Sequence, residues 1–172
     1  MPNYRRIYIK GGTYFFTLVT VNRKPLLKSP AHVNILKQAF VTTKDAHPFT
    51  MNAIVILPDH LHCIWTLPND DDNFSKRWQQ IKAEFTKQMR LNNFISTNES
   101  VWQPRFWEHL IKDENDLKNH IDYIHYNPVK HGLANSPKEW KHSTFRKYVR
   151  NGWYDENWGK SIPKNIETME FE

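Results

Sequence analysis

The chain has 172 residues, which is enough for one domain with a substantial apolar core. Its net charge of +6 and its 7 Trp, 7 Tyr and 10 Phe favour an anionic partner with unstacked bases, such as single-stranded nucleic acid. No segment approaches the ~20 apolar residues that span a bilayer, so a membrane-spanning protein is not expected. A single cysteine, Cys63, permits no intrachain disulfide. Together with the lack of a signal peptide, this predicts a cytoplasmic location.

Apolar periodicity defines the expected elements. In chain order, it predicts a strand over 13–21, a helix over 30–46, strands over 49–57 and 60–67, a helix over 73–91, a strand or extended segment over 101–111, and a helix over 113–127. The order strand-helix-strand-strand-helix-strand predicts an α+β fold, a ferredoxin-like split βαβ antiparallel sheet; another α+β sandwich is the alternative. Pro128 is expected to stop the last helix, because the residue before a proline is pushed out of the α region.

Two histidines, His60 and His62, occupy the third predicted strand. Side chains two apart on a strand point to the same face, so the imidazoles lie side by side. Neutral imidazole is a common ligand of divalent ions, and two ligands are rarely enough, so a metal site here requires a third ligand from elsewhere in the chain. The alternative is that both are ordinary members of a half-buried strand.

The added helix over 113–127 carries His120, Tyr123 and Asn127 on one side, since residues three and four apart share a helix face. The Asn127 carbonyl is a candidate third ligand, and the Tyr123 phenol one turn away would face the ion. Two imidazoles and one amide add no negative charge, so a phosphodiester can approach and be polarised by the ion, and a positioned tyrosine can attack it. Alternatively, Tyr123 packs in the core and Asn127 is a polar residue near a helix end.

Four motifs extend this pattern along the chain. They are Tyr4-Arg5-Arg6 with Gly11-Gly12-Thr13-Tyr14-Phe15-Phe16-Thr17, Pro58-Asp59-His60-Leu61-His62, Trp102-Gln103-Pro104-Arg105-Phe106-Trp107-Glu108-His109, and Asp122-Tyr123-Ile124-His125-Tyr126-Asn127-Pro128-Val129-Lys130-His131-Gly132. With them the chain resembles the single-tyrosine HUH transposases, and closely their REP-associated tyrosine transposase branch. The similarity covers nearly the whole chain.

The resemblance implies an enzyme that cuts and rejoins single-stranded DNA at imperfect palindromic hairpins with a tetranucleotide at their foot. It implies a Tyr123 nucleophile that becomes joined to the 5′ side of the cut, and Mg²⁺ or Mn²⁺ held by His60, His62 and Asn127. A monomer is favoured, although insertion-sequence relatives are dimers. We expect one HUH nuclease domain over 1–135 and an aromatic, basic C-terminal tail over 136–172 that packs on it or extends it.

DNA contacts are less sharply indicated. The candidate cations, each of which is otherwise a solvated surface charge, are Arg5, Arg6, Lys10, Lys82, Lys87, Arg105 and Lys130. Trp102, Phe106 and Trp107 are candidates for stacking bases or for the core. Two alternatives stay open: a domesticated hairpin-binding protein without useful catalysis and, less favoured by the spacing from Tyr123 to Asn127, a replication initiator or plasmid relaxase.

Overall fold

The structure, a computed structural model, describes residues 5–172; Tyr4, part of the first motif, lies outside them. The strands and helices are β1 Thr13–Val19, α1 Pro30–Ala46, β2 Thr50–Ile56, β3 His60–Thr66, α2 Phe74–Leu91, β4 Trp107–Leu110, α3 Glu114–Lys130 and α4 Phe145–Arg150. Short 3-10 turns occur at 21–23, 26–28, 137–139 and 164–166. The first six elements follow the predicted order.

The sheet has the strand order β2-β3-β1-β4, and every neighbouring pair is antiparallel. This is the ferredoxin-like arrangement, so the predicted fold class is confirmed. The two central strands, β1 and β3, have mostly buried side chains on both faces, which explains their nearly continuous apolar sequences. Leu57, Pro58 and Asp59 connect β2 to β3 in a tight turn.

Alternation along the strands divides the core into two layers. One face of the sheet, including Leu61, Cys63 and Trp65, packs against α1 and α2. Trp65 stacks on Trp78 of α2 at 4.5 Å between ring centroids, and burial of each such side chain stabilises the fold by roughly 1.5–3 kcal/mol. The other face packs against α3 and the segment that follows it. His60 and His62 therefore face α3.

The prediction that Pro128 stops the helix is wrong, because α3 continues through it to Lys130. The helix ends in a Schellman arrangement: the N–H of Leu133 donates to the Pro128 carbonyl (2.9 Å), and that of Gly132 donates to Val129 (3.0 Å). Gly132 has φ +67°, the left-handed conformation that this ending requires. These bonds hold the last turn despite the proline, and Asn127 lies inside the helix.

The fourth strand is shorter than the predicted 101–111. Trp102 bridges Thr20, and the N–H of Gln103 donates to the Val19 carbonyl (2.9 Å), but regular pairing with β1 resumes only at Trp107. Pro104 lies in the interruption, where a residue without an N–H costs no ladder bond. The extended segment therefore contacts β1 at both of its ends.

Residues after 136 pack against the α3 side of the sheet. Tyr154 donates to the buried Asp122 carboxylate of α3 (2.6 Å), and the Asn165 amide donates to Asp122 (2.9 Å) and to Asn119 (2.9 Å). These contacts bring Phe171 against Tyr123 at 5.1 Å between ring centroids. The domain boundary at 135 stays a prediction. Over residues 5–172, no helix combines the length and apolar character needed to cross a bilayer.

Candidate active site

The two strand histidines are buried, and each is held by one ring nitrogen. His60 Nδ1 lies 2.6 Å from the Asp59 carboxylate, and His62 Nδ1 lies 2.8 Å from the Thr17 hydroxyl. Thr17 donates its own proton to the Phe171 carbonyl (2.8 Å), so it accepts from His62. Both imidazoles therefore carry the proton on Nδ1, and the lone pair is on Nε2.

Neither Nε2 has a hydrogen-bond partner among the described residues, although both atoms are buried. The ring centroids of His60 and His62 are 5.0 Å apart. Burial lowers the pKa of His60 and lowers that of His62 to about 3, so both are neutral near pH 7. An acceptor lone pair on one nitrogen and a hydrogen bond on the other is the arrangement of metal-binding histidines.

Asn127 is fully buried, and neither its carbonyl oxygen nor its amide nitrogen has a hydrogen-bond partner within residues 5–172. A buried carboxamide left without partners costs about 1–3 kcal/mol for each group. A divalent ion bound by the two imidazoles and the Asn127 oxygen would satisfy three of these atoms. The residues present thus fit such an ion.

Tyr123 is buried on α3, with its ring 5.3 Å from the His62 ring. Its hydroxyl accepts from Lys130 Nζ (3.2 Å) and from the backbone N–H of Phe171 (3.3 Å). The phenol therefore lies on the same face of the sheet as both imidazoles. Tyr126 lies on a different side of the helix, where its ring packs next to Gly159.

Glu172, which the sequence analysis did not predict as a site residue, lies among the candidate site residues. Glu172 accepts from the Tyr123 hydroxyl (2.8 Å) and pairs with Lys130 (3.3 Å) and His131 (3.0 Å). Its Oε1 is 3.7 Å from His62 Nε2, and only 17% of its side chain is exposed. One ligand atom each from His60, His62 and Glu172 lie within 4.8 Å of one another, so the carboxylate is an alternative third ligand.

This carboxylate changes the protonation of the site. Burial, then the hydrogen bond to Glu172 and the negative charge of that carboxylate raise the pKa of Tyr123 well above its ordinary value. Burial opposes ionisation of Glu172, but hydrogen bonds from His131 and Tyr123 outweigh it and hold the pKa of the carboxyl far below its usual range. The phenol is therefore held protonated by a carboxylate that is a weak base.

His120 shares the predicted helix face but contacts a different cluster. Its Nδ1 lies 2.8 Å from the Asp116 carbonyl, and its ring stacks on His109 at 4.6 Å. His109 Nε2 lies 2.8 Å from the Asp116 carboxylate. These contacts join β4 to the first turn of α3, next to the candidate site rather than in it.

Comparisons with known proteins show the family of this chain. The family model described as "Transposase IS200 like" matches residues 8–127. The REP-associated tyrosine transposase of Escherichia coli (strain K12) is 46% identical over 162 residues, covering 94% of this chain and 93% of that protein. This chain belongs to the IS200-like transposase family, in its REP-associated tyrosine branch. The resemblance inferred from the motifs is confirmed. A solved structure, "Structure of the REP associates tyrosine transposase bound to a REP hairpin", matches this chain with a TM-score of 0.83 and 42% identity, and the match covers 99% of each chain.

Four of the seven cations predicted to contact DNA lie close together in the structure, and three lie elsewhere. Arg5, Arg6 and Arg105 line one cleft beside β4. Lys82 donates to the Gln103 carbonyl (2.9 Å), and burial followed by the nearby Arg6 charge lowers its pKa.

The remaining three candidates lie apart from that cleft. Lys130 is in the candidate site, and Lys10 is exposed before β1. Lys87 pairs with Glu84 at 3.9 Å on the exposed side of α2. Of the seven predicted cations, only Arg5, Arg6, Arg105 and Lys82 therefore lie together near the cleft beside β4.

Sequence reasoning missed three residues that contact the candidate site residues: Thr17, Asp59 and Glu172. Asp59 directly precedes His60, so an acceptor for its Nδ1 was detectable. Thr17 required the register of β1 against β3, and Glu172 lies 45 residues or more from every other member of the site along the chain except Lys130 and His131. No local pattern identifies either of these two.

Proposed function

We propose that this transposase cuts and rejoins single-stranded DNA at REP-type hairpins through a 5′-phosphotyrosine intermediate. The relative of known structure is named as bound to a REP hairpin, which supports the substrate class. The observation that carries the chemistry is the Tyr123 phenol on the same face as two imidazoles whose Nε2 atoms have no partner. Because one chain supplies the phenol and the imidazoles, we also propose that it acts as a monomer.

In the proposed cleavage, the Tyr123 oxygen attacks the scissile phosphorus, and the bond from phosphorus to the 3′ oxygen breaks. The phenol loses a proton and the departing 3′ oxygen gains one, so proton and charge balance. Lys130, 3.2 Å from the phenol oxygen, lies where it can neutralise the phosphate. Attack by a 3′-OH on the phosphotyrosine reverses the step and restores the phenol, so one phosphodiester replaces another and no external energy is needed.

His60, His62 and Asn127 would hold the divalent ion, Mg²⁺ or Mn²⁺. When bound, that ion would act as a Lewis acid that stabilises charge developing on the phosphate oxygens. Two imidazole ligands suit Mn²⁺ better than Mg²⁺, which prefers oxygen donors. Asp59 and Thr17 would keep the two rings in the required tautomer and orientation.

The arrangement with Glu172 in the site is proposed to be a resting one. Its carboxylate pairs with Lys130, the cation 3.2 Å from the phenol oxygen, and contacts His131, and its negative charge would repel an incoming phosphate. DNA must therefore displace this carboxylate before Tyr123 can react. The same contact gives specific support to the alternative function, hairpin binding without useful catalysis.

Replacing Glu172 by glutamine is expected to increase the rate of adduct formation by roughly tenfold, because about 1.4 kcal/mol of competition with the phosphate is removed. Glutamine keeps the shape and can still accept from the phenol. The measurement is the initial rate of adduct formation on labelled hairpin. Glu170→Gln, an exposed acidic residue two positions earlier, is the matched control and should change little. A lower rate in Glu172→Gln would instead make the carboxylate a required base or ligand.

Incubation with labelled hairpins from the repeats that flank its own gene, in Mn²⁺, tests the proposed function directly. A transposase acting through Tyr123 gives a protein–DNA adduct that survives denaturation and carries the label of the fragment whose 5′ phosphate is joined to the tyrosine, while the other fragment is released with a free 3′-OH. Binding without an adduct, across all hairpins and in Glu172→Gln as well, would establish the alternative. Because both functions predict affinity that falls with salt, salt dependence does not separate them.

A further inference from the structure

A cavity of about 360 Å³ lies beside β2, between α1 and the segment 141–144. That segment covers the edge of β2: the N–H of Ile56 donates to the His142 carbonyl (2.9 Å), and the N–H of Thr144 donates to the Ile54 carbonyl (3.0 Å). Residues of α1 form another wall. Because backbone hydrogen bonds and a helix hold these walls, the cavity is preformed, and its volume lies in the ~300–1,000 Å³ range of ligand sites.

The interior of this cavity is apolar. Phe40 and Phe49 are buried beside it, and Met51, Ile54 and Ile56 of β2 add aliphatic surface. All five belong to the core layer between the sheet and α1 and α2, or pack against it. The cavity therefore lies on the α1 and α2 side of the sheet, whereas the candidate active site lies on the α3 side.

Three exposed lysines, Lys37, Lys44 and Lys141, surround this apolar interior. None of them forms an ion pair with any residue that the structure describes, and no acidic side chain lines the cavity. Lys37 and Lys44 lie two turns apart on α1 with Val41 between them, and Val41 is 51% exposed. Burial, then the charges of Lys37 and Lys141, lower the pKa of His142. The cavity thus combines an apolar interior with uncompensated positive charge.

These features indicate the chemistry of a ligand. An apolar side chain is stabilised by the interior, and an acidic one by the lysines. A DNA base fits less well, because its ring N–H and carbonyl groups would be buried against phenyl and aliphatic side chains without hydrogen-bond partners. DNA phosphates alone need no apolar cavity. A peptide also offers backbone polar groups to the buried Nδ1 of His142, which has no partner among the described residues.

We propose that this cavity binds an acidic segment of a partner protein, with its apolar side chains inside the cavity and its carboxylates on Lys37, Lys44 and Lys141. Binding here leaves the α3 side of the sheet free, so the transposase can hold a partner protein and a DNA hairpin at the same time. The inference goes beyond the proposed function and does not depend on it, since a hairpin-binding protein without catalysis would have the same cavity.

Fluorescence anisotropy with three labelled peptides tests the proposal. The acidic peptide Asp-Glu-Leu-Phe-Glu-Asp should bind the unaltered protein. Lys-Arg-Leu-Phe-Arg-Lys, which has the opposite charges, and Asp-Glu-Ser-Ser-Glu-Asp, which lacks the apolar pair, should bind at least roughly tenfold more weakly. Val41→Asp should weaken binding of the acidic peptide by roughly tenfold or more, and Lys141→Glu by roughly 3- to 10-fold. Both side chains are exposed, so the fold should tolerate these changes, which the Tm of each variant checks.

Leu91→Asp and Lys160→Glu are the matched controls, because they make the same charge changes at exposed residues that do not line the cavity. Neither should change peptide affinity by more than about twofold. Equal binding of the three peptides, no binding of the acidic one, or its displacement by a hairpin would overturn the proposal. Weaker hairpin binding in Val41→Asp with unchanged peptide binding would overturn it as well, since the cavity would then serve DNA.

Discussion

Replacing Tyr123 by phenylalanine is expected to abolish the denaturation-resistant adduct, by roughly a thousandfold or more, as loss of a sole nucleophile does. The phenyl ring keeps its contacts with His62 and Phe171, and only the hydroxyl is lost. Glu172 retains Lys130 and His131 as partners, so no buried charge is left unpaired. Hairpin affinity should therefore stay within about twofold. Adduct is measured on a denaturing gel and affinity by anisotropy on the same preparations.

Tyr126→Phe is the control for this substitution, because Tyr126 lies three residues along the same helix and packs near Gly159 rather than near the imidazoles. It should form adduct at the rate of the unaltered protein. An undiminished adduct in Tyr123→Phe would reject Tyr123 as the nucleophile, and loss of adduct in Tyr126→Phe would transfer the role to that residue.

Most of the fold could be predicted because its signals are local. The helix over 30–46 was predicted with its observed ends, since Pro30 begins it and its apolar residues repeat at helical spacing. The end of α3 was predicted wrongly, because the tendency of a residue before proline to leave the α region is statistical and has exceptions. Here hydrogen bonds from Gly132 and Leu133 back to the helix outweigh it. The strand over 101–111 was predicted too long because an edge segment can pair at its ends and still be interrupted at Pro104.

The candidate site likewise contains residues that local spacing predicts and residues that it does not. Spacing of two along a strand and of four along a helix placed His60 with His62 and Tyr123 with Asn127. The structure adds that the Tyr123 ring lies 5.3 Å from the His62 ring and that Asn127 is buried. What no spacing could indicate is Glu172, because its position depends on the path of the whole segment after α3 and on anchors such as Tyr154 and Asn165. The protonation state of Tyr123 depends on that contact.

Saturating Mn²⁺ is expected to stabilise the protein, because an ion that binds the folded state satisfies buried atoms that otherwise have no partner. At about one hundred times its Kd, the gain is ~2.7 kcal/mol, which for a chain of this size is a rise in Tm of roughly 5–10 °C. His62→Ala and Asn127→Ala should each lose most of this rise. Each Tm is compared with the same variant's value in chelator, so any change in intrinsic stability cancels.

Two further variants identify the third ligand. His142→Ala is the matched control: its Nδ1 is also buried without a partner within residues 5–172, but it lies near Lys37 and Lys141 and should keep the full rise. Glu172→Gln should keep it as well. The Glu172 carboxylate already has hydrogen-bond partners, whereas the Asn127 carboxamide has none among the described residues, so the ion satisfies Asn127. If Glu172→Gln lost the rise while Asn127→Ala kept it, the carboxylate would be the third ligand. Glu172 would then have to remain in the site during cleavage instead of leaving it.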